Sequence, residues 1–352
     1  MRATGTTTHE RSALIGRLFP AGVPRLWCPP LTHYDADGGL DRDRITAHLR
    51  SISPYARGLL VPGSTGDAWE MDEDEQHRLL DLVLEVNRPL GLHVLIGALR
   101  ANAEQERRVI VDAIGRLKRR SGLGDDLGAM AAAGVCGLTV CPPTGRDLPQ
   151  REIRDRLAAI LDLGVPTAIY QLPQVTLNEM TPETVAELAG RHANFYLLKD
   201  TSGQDRVATS GLDLGGVVLV RGAEGDYHRW LKAGGGPYDG FLLSTANCFA
   251  AQLHRMIGHL EAGRVEEARA QIGPVETVVA RVFDLVAGLP DGNAFANANK
   301  AIDHFLAHGA GASELPPPRL HAGSRLPPQV IKATGEVLAD CGLMPSRGYL
   351  RA

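Results

Sequence analysis

From residue 25 onward the chain repeats one pattern, a short apolar run followed by a longer stretch with apolar positions three and four apart. The apolar runs fall at 25–32, 58–62, 91–97, 134–142, 165–172, 195–199, 216–220 and 239–244. Helical patterns follow each of them, at 41–51, 70–86, 102–118, 150–163, 182–191, 204–212, 226–232 and 247–262. Runs that are apolar nearly throughout predict strands buried on both faces, and strict strand-then-helix alternation predicts a parallel sheet. Eight such pairs in about 240 residues predict an α/β fold, a (β/α)8 TIM barrel. A doubly wound open sheet is the competing architecture, and no GxGxxG follows the first strand to support it.

Flanking segments complete the expected organisation. Residues 1–24 read as a flexible polar leader, 25–263 as the barrel and catalytic domain, and 264–352 as a helical C-terminal extension packed on it. The extension is expected to hold helices near 265–287, 294–308 and 328–341, with a Pro-rich link at 315–318. Residues 119–128 look like a local insertion around the third helix, with no function attached.

Composition changes this picture little but excludes several partners. A net charge of -4, with no basic run interleaved with aromatics, argues against nucleic acid. No run approaches the roughly 18 apolar residues of a membrane span. Cys28, Cys136, Cys141, Cys248 and Cys341 are scattered and form no CxxC, which suits a reducing, cytoplasmic setting. The 12 histidines include no HExxH or HxH, so no metal site is expected. Nor is there a GxSxG.

Usage of cations is the informative imbalance. Arg outnumbers Lys 32 to 5, yet the apolar run 195–198 delivers Lys199, and an amine can form a Schiff base where a guanidinium cannot. Taken alone, Lys199 is equally a strand-end cation facing solvent or paired with Asp200. Barrel active sites lie at the C-terminal ends of the strands, and three other strand ends supply polar chemistry. They are Gly63-Ser64-Thr65-Gly66-Asp67, Tyr170-Gln171-Leu172-Pro173 and Ser244-Thr245-Ala246-Asn247. A lysine of ordinary pKa, about 10.4, is neutral in roughly one molecule in 2,500 at pH 7, and a desolvated barrel mouth raises that fraction. Tyr170 can move protons, and the Ser64-Thr65 turn can hold a carboxylate in its N–H groups and hydroxyls. Their coincidence points to a site for an α-keto acid.

These stretches resemble the class I, pyruvate-dependent aldolases typified by dihydrodipicolinate synthase and N-acetylneuraminate lyase. The resemblance runs from about Trp27 to Gly263. Gly63–Asp67 stands for the family's GTTGE or GSTGE, Tyr170–Pro173 for its YNxP, Lys199–Gly203 for its KxxxG, and 240–247 for its glycine-led eighth strand. The resemblance implies Lys199 as the Schiff-base lysine and Tyr170 as the proton-relay tyrosine. It implies that Ser64 and Thr65 bind the carboxylate, with Thr65 also in the relay. It makes Arg221-Gly222-Ala223-Glu224-Gly225-Asp226 a second substrate loop, so that Gly222, with Ser244, lines the site. Glu224 and Asp226 then either contact a polyhydroxylated or amino substrate or start the next helix.

Departures from the family matter as much. Val175 stands where the synthase carries a carboxylate-gripping arginine, which argues for a member outside strict dihydrodipicolinate synthase. Cys141-Pro142-Pro143-Thr144 stands where the family's interface tyrosine is found, leaving Thr144 as a partial substitute. Asp67, one methylene shorter than the usual glutamate, is expected to support the turn, and His33 to be structural.

The expected function is a Schiff-base carbon–carbon lyase or aldolase acting on pyruvate or a related 2-keto acid and an aldehyde, with no cofactor. By the resemblance it is a homotetramer or homodimer. A dehydratase, decarboxylase or hydratase-aldolase on a sugar acid or aromatic pyruvate is the first alternative. A non-catalytic keto-acid-binding barrel, suggested by the incomplete relay, is the second.

Overall fold

Eight short strands follow one another in chain order around a closed parallel barrel in the computed structural model. They are β1 (Leu26–Cys28), β2 (Gly58–Val61), β3 (His93–Gly97), β4 (Val135–Val140), β5 (Thr167–Gln171), β6 (Phe195–Asp200), β7 (Val218–Arg221) and β8 (Gly240–Leu242). Residues 4–351 are described. The first three residues of the expected leader and the last of the expected extension lie outside the described residues. The architecture is the expected (β/α)8 barrel with added helices. Contacts divide it into two compact units, one of residues 1–25, 93–223 and 237–242, the other of 26–92, 224–236 and 243–352.

The first unit carries β3 to β8 and six helices. In chain order these are α1 (Thr4–Leu18), α4 (Ala103–Ser121), α5 (Asp126–Ala132), α6 (Gln150–Leu161), α8 (Pro182–Arg191) and the one-turn α9 (Arg206–Thr209). A further turn, α7 (Pro173–Thr176), follows β5 directly. The strands are buried almost end to end, as their unbroken apolar runs require.

The segment expected to be a flexible leader is a correction: α1 docks on α8 and β6. Its Arg11 is fully buried, with Nε donating to Phe195 O at 2.7 Å and Nη2 to His192 O at 2.9 Å. The same guanidinium reaches Ala189 O and Gly215 O, so four backbone carbonyls enclose one cation. A single arginine among polar neighbours gives no sequence signal for such a cage. The expected insertion also resolves into ordinary parts. Residues 119–121 end α4, Gly122 caps it at φ 72°, and α5 begins at Asp126 with Asp125 accepting from Gly128 N.

The second unit holds β1, β2 and the remaining helices. These are α2 (Arg42–Ile52), α3 (Glu73–Asn87), the one-turn α10 (Tyr227–Trp230), α11 (Ala246–Glu261), α12 (Val265–Val286), α13 (Ala294–His308) and α14 (Pro328–Asp340). Asp41 caps α2, and Asp72 with Glu75 forms a reciprocal capping box on α3, which places its start three residues later than the periodicity suggests. Trp27 of β1 lies flat over Gly58 of β2, where a Cβ would stand 2.0 Å from the ring. The C-terminal helices fall at the expected places, with α12 packed on α11, α13 and α14.

Candidate active site

In the first unit, Lys199 of β6 pairs in register with Tyr170 of β5 on one side and Val220 of β7 on the other. Paired residues of a parallel sheet project to the same face, so the amine and the tyrosine ring meet. Lys199 Nζ stands 3.8 Å from the Tyr170 ring centroid, and the two residues are 4% and 2% exposed. Gly222, just past β7, completes this group: its N–H donates to Asp200 O at 2.7 Å, and the space of its missing side chain is taken by Lys199 Cε. Thr144 and Val175, both half-buried, are placed on the loops after β4 and β5. These loops are tied to one another, since Gly145 N donates to Thr176 O and Asn178 Nδ2 to Pro143 O. Thr144's own N–H goes to Ala101 O, and Gln174 Nε2 binds Thr201 O, joining the β5 loop to the lysine's loop.

A buried polar set backs this group. Arg221 donates to both carboxylate oxygens of Asp205, at 2.9 and 3.0 Å, and Tyr238 OH donates to Asp205 Oδ1 at 2.6 Å. Asp200, next to Lys199, has its carboxyl held above the usual range by burial, against the Ser202 bonds that favour its ionised form. This set is tied to the ends of β6 and β7. Sequence reading missed it, and also missed Glu106 of α4. Glu106 Oε1 accepts from Cys141 N at 3.1 Å at the exit of β4, and burial pushes its carboxyl well above the ordinary value. Burial likewise pushes the Cys141 thiol well up, while nearby Lys199 pulls it the other way. Glu106 had a visible signal: with Ile110, Ala113, Ile114 and Leu117 it heads the apolar stripe of α4.

In the second unit, Ser64, Thr65 and Gly66 form a single 3-10 turn between Gly63 and Asp67, the latter at φ 63°. The glycines are required by close approach, since a Cβ on Gly63 would stand 2.8 Å from Pro29 and one on Gly66 2.6 Å from Pro30 O. Gly66 N and Ala68 N donate back to Gly63 O, and among the described hydrogen bonds the N–H groups of Ser64 and Thr65 have no acceptor. Such a pair of adjacent amides is suited to an anion. Trp69 Nε1 donates to Ser64 Oγ at 2.9 Å, and Asn293 Nδ2 to Ser64 O at 3.0 Å. Asp67 supports the turn as expected: its Oδ2 accepts from Lys300 Nζ at 2.8 Å and from Tyr34 OH at 3.0 Å.

Ser244 sits past β8 and donates to Glu224 Oε1 at 2.5 Å. Glu224 also accepts from Thr245 N, Thr245 Oγ1 and Tyr227 OH, at 3.2, 2.7 and 2.7 Å. Glu224 does not itself cap α10, whose preceding residue is Asp226; its carboxylate braces the β8 exit. Asp226 precedes α10 at φ 50° and makes no side-chain cap bond. His33 is buried against His48 at 3.2 Å, and burial holds both rings below the ordinary histidine value.

Comparison with known proteins bears on which chemistry this scaffold serves. Residues 127–287 match the profile of the dihydrodipicolinate synthetase family. Over that stretch the chain resembles that family. It is 27% identical over 302 residues to the 4-hydroxy-tetrahydrodipicolinate synthase of Acidothermus cellulolyticus, covering 81% of this chain and 87% of that one. The corresponding synthase of Agrobacterium fabrum is 25% identical over 233 residues, 65% of this chain and 71% of its own. Among solved structures, a prophage protein of the dihydrodipicolinic acid synthase family from E. coli K12, in complex with pyruvate, superposes with a TM-score of 0.67. It is 18% identical and covers 91% of this chain and 99% of its own, a likeness of fold. Identities of this size fit a relative outside the strict synthase, and the likeness to proteins named as synthases makes the chain an enzyme of the aldolase and lyase class. Among the described residues no helix is long and apolar enough to cross a membrane.

Proposed function

We propose that this protein is a lysine-dependent carbon–carbon lyase or aldolase acting on pyruvate or a related 2-keto acid. The observation that carries the reading is the in-register pairing of Lys199 with Tyr170, with the amine buried 3.8 Å from the ring centroid. The neutral amine adds to the keto carbon, and the carbinolamine loses water to give an iminium. Breaking the bond between the next two carbons sends its electron pair into the iminium, leaving an enamine and an aldehyde. Protonation and hydrolysis then return the keto acid and the free lysine, and the reverse sequence builds the bond. Tyr170 and Thr65 relay the protons, and Ser64 and Thr65 hold the keto-acid carboxylate, a role supported by their two amides, which have no acceptor among the described hydrogen bonds. Gly222, Ser244, Thr144 and Val175 line the rest of the substrate. With Val175 replacing an arginine, the second reactant is an aldehyde that needs no carboxylate clamp there. We place the enzyme in the cytoplasm as a homodimer or homotetramer, from its free cysteines and its family.

Borohydride trapping with pyruvate, read by intact mass and peptide mapping on the wild type and Lys199→Ala, tests the reading. A reduced adduct on Lys199, lost in the variant, is expected. No adduct with pyruvate or with sugar-derived keto acids overturns it and favours a binding protein.

A further inference from the structure

The second unit holds a separate cleft of about 450 Å³, walled by the β1 exit, the start of α2, α13 and the Pro-rich segment after it. Three arginines face it. Arg44 Nη2 donates to Asp303 Oδ2 at 2.6 Å, and its guanidinium lies 5.1 Å from the Tyr349 ring centroid. Arg319 Nη1 donates to Ala36 O at 3.1 Å. Arg325 lies opposite Arg319 across a two-residue antiparallel bridge and donates to Pro317 O at 2.6 Å.

The acidic groups of the cleft are largely committed elsewhere. Asp303 accepts from Arg44 and from Tyr349 OH at 2.9 Å, and Asp41 accepts from Arg44 N as the cap of α2. Asp43 lies on the exposed rim. Burial keeps His33 and His304 below the ordinary histidine value, so neither adds charge at neutral pH. Lys300 is taken by Asp67. What remains is three guanidiniums, those of Arg44, Arg319 and Arg325, beside an apolar wall of proline. A planar guanidinium fork matches the two oxygens of a carboxylate, so this lining favours an occupant that supplies acceptor oxygens.

We propose that this cleft binds a small organic carboxylate, whose oxygens accept from the guanidinium groups that line it, that of Arg319 among them, while its apolar body rests on Pro316 and Pro317. The site is independent of the catalytic reading, and its test reads binding alone. Benzoate and inorganic phosphate serve as probes in calorimetric titrations of the wild type, Arg319→Gln and Lys199→Ala. Arg319 is half-buried at one side of the hairpin and glutamine keeps a polar side chain there, with a urea midpoint on each variant checking that the fold is kept. Losing one charge-assisted hydrogen bond predicts about tenfold weaker benzoate binding in Arg319→Gln. Lys199→Ala is expected to bind benzoate as the wild type does. Absence of saturable benzoate binding at millimolar concentration overturns the proposal, as does binding that Arg319→Gln leaves unchanged. Phosphate binding in preference to benzoate overturns the assignment of a carboxylate with an apolar body.

Discussion

Gly222 offers a way to displace the amine of Lys199, the proposed nucleophile, without touching it. Its φ lies outside the left-handed region, so alanine is tolerated by the backbone and the effect of substitution is steric. The new Cβ would stand 2.8 Å from Lys199 Cε, 2.9 Å from Thr201 Oγ1 and 3.3 Å from Leu242 O. Ordinary van der Waals contact begins near 3.4 Å, so the lysine stem must retreat by about 0.6 Å, the difference between 3.4 and 2.8. The Leu242 carbonyl belongs to a strand and cannot yield, whereas a lysine stem can, so the strain falls on the amine.

Overpacking of this kind costs at most a few kcal/mol, and about 1 kcal/mol where a flexible chain gives way. Displacement of a reacting atom by a fraction of an ångström to one ångström costs up to about 10²-fold in rate. Gly222→Ala is therefore expected to keep its fold and trap pyruvate 10- to 100-fold more slowly, roughly, on the same geometric argument. The assay pairs the rate of borohydride-trapped adduct with a urea midpoint on the same preparation. Trapping at the wild-type rate would refute the steric argument. Slow trapping with a stability loss of several kcal/mol would refute it too, because the strain would then lie in the fold and not on the amine.

Glu106 predicts a pH effect. Its carboxyl is raised by burial, so between the unfolded value near 4.5 and the folded one the native state binds more protons and stability falls as pH rises. Glu106→Gln keeps an acceptor for Cys141 N and removes the penalty; its stability gain over wild type should grow by up to about 1.4 kcal/mol per pH unit above 4.5, checked by urea midpoints at pH 5 and 8. Arg11→Met removes the guanidinium from four carbonyl contacts, three of them buried, and should cost about 3 kcal/mol or more in the same titrations; a loss below about 1 kcal/mol would mean that the cage is not structural.

Much of the barrel was legible because its strands are buried on both faces, so their apolar runs stand out without alternation. The turn at 63–67 and the Lys199–Tyr170 pair were legible because barrel strand ends collect chemistry. What escaped were groups whose role depends on distant partners. Glu224 looks like any acidic loop residue until Ser244, Thr245 and Tyr227, up to 21 positions away, converge on it. Arg11 looks like a solvated helix residue until the carbonyls near 189–195 and 215 surround it. Local pattern carries periodicity, and it cannot carry a cage assembled over some 180–200 residues.

That limit also applies to the boundary expected at residue 263. The amides of Ser64 and Thr65 are useful to a carboxylate only if their turn is held still, and two of its holds come from beyond that boundary. Asn293 spends its Oδ1 on capping α13 and its Nδ2 on Ser64 O, so the start of that helix and the turn are fixed by one side chain. Seven residues on, Lys300 reaches the last residue of the turn in a pair that is 1% and 3% exposed, where removing either partner would strand a buried charge. Because both anchors sit on α13, a rotation of that helix would disturb both ends of the turn together. The C-terminal extension therefore holds the turn proposed to bind the carboxylate, and a boundary at residue 263 would separate that turn from its anchors.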